Sequence, residues 1–143
     1  MKRIILATMA AFAFVSASYA DETPDLMTVL TAPEPQTQLM SMVLTMQALK
    51  QGAKAHVLLC GPAGDIALRD APKSATAPQK PKNMSPQGLM KNIIANGGSV
   101  EVCAIYLPNK GVNAEALVDG VTPAKPPVIA QRLLAPNTRI MSF

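Results

Sequence analysis

Residues 55–68, AHVLLCGPAGDIAL, read as a strand, a tight turn and the start of a helix. Ala55 to Cys60 is almost continuously apolar. A strand without a polar side fits a parallel sheet covered on both faces. Gly61-Pro62 break the run, and Asp65 is expected to cap a short helix that follows. His56, the only histidine, lies mid-strand, about 13 Å from Cys60 along an extended chain. That is too far for it to act as the direct base of this cysteine, and a structural role is expected.

The neighbouring segments repeat the alternation. Upstream, Leu26 to Leu30 (LMTVL) reads as a strand. Gln36 to Gln51 carries Leu39, Met42, Val43, Met46 and Leu49 at the spacing of one helix face, with Gly52 to end it. Downstream, Arg69 to Met84 is rich in proline and lysine (Lys73, Lys80, Lys82) and reads as an exposed loop, a candidate lid. Ser85-Pro86 start a helix that Gly97-Gly98 stop. A third strand runs from Ser99 to about Ile105, and Asn113 caps a short helix that Gly120 ends. Val121 is a very short strand, Pro126-Pro127 open a last helix, and Thr138 to Phe143 closes as a strand. Strands alternating with helices predict a three-layer α/β domain with a mainly parallel sheet of about five strands.

The first twenty residues, MKRIILATMAAFAFVSASYA, have a basic start, an apolar stretch and a small-x-small end. They read as a secretory signal peptide cleaved after Ala20, with the periplasm as destination and 21–143 as one domain. Without Lys2 and Arg3, eleven basic residues face nine acidic ones, a net charge of +2 that is too weak to argue for nucleic acid. Only Tyr106 and Phe143 remain as aromatics, which disfavours a surface that stacks bases or sugars. No run beyond residue 20 is long and apolar enough to span a membrane.

The chemistry rests on two cysteines. Cys60 ends a strand where, in an open parallel sheet, ligands bind. The amides of the helix expected near Asp65 would favour its thiolate. Cys103, in VEVCAIYLPNKG (100–111), is interior if its strand reaches Ile105 and on the same rim as Cys60 if the strand stops early. Glu101, two residues back on the same face, would raise its thiol pKa. In an exported protein the two cysteines could equally form a disulfide. Its loop of 43 residues would be worth about 3–4 kcal/mol. Stable disulfide, reactive thiols and unpaired structural cysteines all stay open. Met40, Met42 and Met46 are soft ligands suited to Cu(I). Met42 and Met46, however, fit the core stripe while Met40 points away. There is no Ser-His-Asp set, Gly-rich phosphate loop or HExxH motif, and no cofactor or metal is expected.

Three segments, ALKQGAKAHVLLCGPAGDIAL (48–68), LMKNIIANGGSVEVCAIYLPNKGV (89–112) and LVDGVTPAKPPVIAQRLLAPNTRIMSF (117–143), resemble the DsrE/DsrF-like family, which takes in YchN- and TusD-like proteins. The resemblance implies a flavodoxin-like sheet between helices. It also implies a sulfur-relay role in which the cysteine after GG-x-V-x-V, here Cys103, carries a persulfide at the strand's end. Cys60 would be its resolving partner or a second acceptor, and Tyr106 and the backbone near Gly61 and Gly64 would line the site. The partners implied are a protein sulfur donor or acceptor and further copies of the chain, since relatives often form trimers or hexamers. One departure stands out: three residues after Cys103 is Tyr106, so no C-x-x-C motif exists.

Overall fold

A computed structural model describes residues 23–143; the expected signal peptide lies outside them. Five strands, β1 (Asp25–Leu30), β2 (Ala55–Leu59), β3 (Ser99–Val102), β4 (Val121–Pro123) and β5 (Thr138–Ser142), pair in the order β4-β3-β2-β1-β5. Every pairing is parallel. Five helices accompany them: α1 (Pro35–Lys50), α2 (Lys73–Thr76), α3 (Pro86–Ala95), α4 (Tyr106–Lys110) and α5 (Pro126–Leu133). The chain steps outward from β1 to β4 and then crosses back to place β5 on the far side of β1. Right-handed crossovers put helices on one face while the chain advances and on the other when it reverses. Thus α1 and α3 pack together over Val57, Leu59, Val100 and Val102, while α5 covers Met27 and Leu58 on the opposite face with Ile129. The architecture is the three-layer α/β/α sandwich expected from the sequence.

The loop and the first helix differ from the sequence reading. The loop 69–84 is partly built: it contains α2, and Gln79 and Met84 pair as an isolated bridge. In α1, burial extends to one side of the apolar stripe. Gln38, Ser41 and Thr45 are buried beside Met42 and Met46, while Leu39, Val43 and Leu49 of the stripe pack half-buried on the core and Met40, expected to point away, is 49% exposed. The buried hydroxyls are satisfied, which makes this tolerable. Thr45 and Thr28 on β1 share a hydrogen bond of 2.7 Å, and Ser41 donates to the Gln38 carbonyl at 2.8 Å.

Candidate functional site at the carboxyl rim

The parallel register aligns Leu59 at the end of β2 with Val102 at the end of β3. Cys60 and Cys103 are each the next residue, so they leave the sheet side by side. The ladder continues through their backbones: Cys60 N–H donates to Leu30 O at 2.9 Å, and Cys103 N–H to Leu59 O at 2.8 Å. Their Cα atoms are 5.1 Å apart and their sulfurs are bonded. Such a spacing is what neighbouring strands provide and what a disulfide needs. Of the three fates the sequence left open, the structure shows the disulfide.

The strand ends at Val102, so the longer strand to Ile105 is corrected. Tyr106 N–H bonds back to the Cys103 carbonyl at 2.8 Å, and the chain turns directly into α4. Ile105 is left 72% exposed beside the disulfide. Asp65 is not an N-cap either. The segment Gly61–Ala67 is a 3₁₀ helix that starts immediately after Cys60, placing Asp65 in its later part. Gly61 makes the tight departure possible with φ of +54°, a left-handed conformation that glycine adopts without a Cβ penalty.

Asp65 instead organises the floor. Its Oδ1 accepts from the Tyr106 hydroxyl at 2.5 Å and from Lys110 Nζ at 2.7 Å. Burial works to raise its carboxyl, but the hydrogen bonds from Lys110 and Tyr106 outweigh that and hold it below the usual carboxylate range. Burial first, then the bond to this carboxylate, push the Tyr106 phenol well above its ordinary value, so it stays protonated. The Tyr106 ring lies flush on Gly64, where a Cβ would come within 2.3 Å of it. Sequence reading placed Gly61, Gly64 and Tyr106 at the site but missed Lys110 and gave Asp65 another job. The signal was the spacing Tyr106-x-x-x-Lys110, one helical turn, in a stretch read as strand and turn.

Together Cys60, Cys103, Asp65, Tyr106, Asn109 and Lys110 line an open cavity of about 620 Å³, with Gly61 at its edge. Gly64 contributes from beneath the ring. The disulfide thus meets solvent in a cavity that also holds the Lys110 ammonium, fixed by Asp65. The Glu101 carboxylate accepts from Arg132 of α5 at 2.7 Å. His56 sits half-buried on the sheet, its Nδ1 2.6 Å from Ser99 Oγ on β3. Met42 and Met46 are core residues, and among the described residues no group of three or more His, Cys, Asp or Glu is placed to hold a metal.

No family model matches the chain, and no curated protein matches it. Solved structures do. The YchN protein from E. coli superposes with a TM-score of 0.67 at 20% identity, over 84% of this chain and 99% of that one. A protein of unknown function, MTH1491 from Methanobacterium thermoautotrophicum, gives 0.58 at 12% identity, over 82% and 96%. The chain therefore has the fold of the YchN protein, the fold that its resemblance to the DsrE/DsrF-like family implied.

Proposed function

We propose that the protein is an exported, periplasmic sulfur carrier whose working group is the Cys60–Cys103 pair. The observation that carries this reading is the disulfide's position, bonded across the carboxyl rim at a cavity that also holds Lys110. A hydrosulfide anion attacks Cys103 Sγ with its own electron pair. The S–S bond breaks, Cys103 becomes a persulfide, and Cys60 leaves as a thiolate in the cavity that also holds the Lys110 ammonium. The disulfide is the oxidant in this step, so no other is needed. An acceptor protein's thiolate then attacks the outer sulfur and takes it as a persulfide, leaving Cys103 a thiolate. Two thiols remain, and a protein disulfide of the exporting compartment re-oxidises them by exchange. Self-association accompanies this role in our reading. It is supported by the exposed large apolar side chains Leu134 (83%) and Ile140 (56%).

The test is intact mass after incubating the oxidised protein with sulfide and quenching by alkylation. A persulfide mapped by peptide analysis to Cys103, absent in Cys103→Ser, is expected. Sulfide that leaves the disulfide untouched would instead favour a second reading, a binding or assembly module in which the same bond is purely structural. Processing after Ala20 is checked by N-terminal sequencing of exported protein, and self-association by sedimentation.

A further inference from the structure

A second cavity lies away from the cysteines, between the outer side of α1 and the segment that leads into α3. Its volume is about 580 Å³, within the range of small-molecule sites. The wall is fastened to the helix: Gln79 Nε2 donates to Pro35 O at 2.8 Å, and Gln79 N–H to Met84 O at 2.8 Å. Helix α1 supplies the floor. With Gln38, Ser41 and Thr45 buried on its sheet side, the exposed Met40 and the half-buried Leu39 and Val43 line the cavity, as do Met84 and Leu89. From Gln36 to Lys50, both on the lining, the trough follows α1 for about 21 Å at the helical rise.

The rim has one sign of charge. Lys50, Lys80 and Lys82 line it and no acidic residue does. None of the three takes part in an ion pair among the described residues. An apolar trough with an unbalanced cationic rim fits a ligand with an apolar chain and one anionic end. A second copy of the chain fits badly, because a two-fold contact through this patch would set the same lysines against each other. We infer that the trough binds a free long-chain carboxylate, with the chain along Leu39, Met40 and Val43 and the carboxylate at Lys80 and Lys82. The site is independent of the disulfide.

Laurate, titrated below its micelle concentration into protein carrying methyl-labelled methionine, tests this by NMR. Saturable shifts of the Met40 and Met84 methyls are expected, with Met27, buried under the opposite face, unmoved. Lys80→Gln combined with Lys82→Gln is expected to weaken binding about tenfold, and methyl laurate to bind as weakly. Val43→Asp, at a half-buried position, should abolish the shifts while the Met27 signal reports an intact fold. Absence of a saturable shift overturns the inference. So do equal affinity for the methyl ester, and Met40 shifts that follow protein concentration without laurate, which would make the patch a self-contact.

Discussion

Tyr106 shows how one side chain ties chemistry to packing. Its hydroxyl fixes Asp65, Asp65 fixes Lys110, and its ring needs the bare Cα of Gly64. Gly64→Ala forces the ring away from a buried seat, and a loss of about 1–3 kcal/mol is expected in urea unfolding. The Tyr106–Asp65 bond should be lost with it, visible as a lower phenol pKa in ultraviolet titration. His56 makes a separate prediction. Burial, then Arg132, lower its pKa from 6.5 against the opposing pull of Asp25 and Glu101, with Lys54 adding slightly to the lowering. A depressed folded value means that the unfolded chain binds the extra proton first. This contribution to stability is therefore complete above pH 6.5 and shrinks as pH falls through and below it. Thermal melts from pH 7.5 to 5 should show that decline, and His56→Gln should flatten it.

Elements differed in how openly the sequence declared them. Strands β1 and β2 and helix α3 were legible because apolar runs, Ser85-Pro86 and paired glycines state a period and its punctuation. The 3₁₀ helix after Cys60 and α4 were not, since five to seven residues cannot display a period. The cysteines' rim position was legible only as one of two options, because it turns on which residue ends β3. Helix α1 was legible in part: Met42 and Met46 of its apolar stripe are buried and Leu39, Val43 and Leu49 pack half-buried on the core, but the fold chose Gln38, Ser41 and Thr45 for burial as well. That choice is testable. Thr45→Val leaves the buried Thr28 hydroxyl without its partner and should cost about 1–3 kcal/mol. Adding Thr28→Val should recover most of the loss, since both polar groups are then gone.

Across the whole molecule, the disulfide is the one covalent link between distant parts of the chain, closing a loop that contains α2 and α3. Reduction should lower global stability by about 3–4 kcal/mol in the chain-entropy account, read as a lower urea midpoint. A carrier that opens this bond during turnover would then be least stable in its reduced state. The sheet order has its own consequence, for biosynthesis. Strand β1 is made early, yet one of its two neighbours is β5, at the far end of the described chain. A chain that arrives in its compartment N-terminus first can dock β2, β3 and β4 in turn, but β1 keeps an unpaired edge until β5 has arrived. Until then the sheet is open to chaperones, and β5, at the far end of the described residues, closes it.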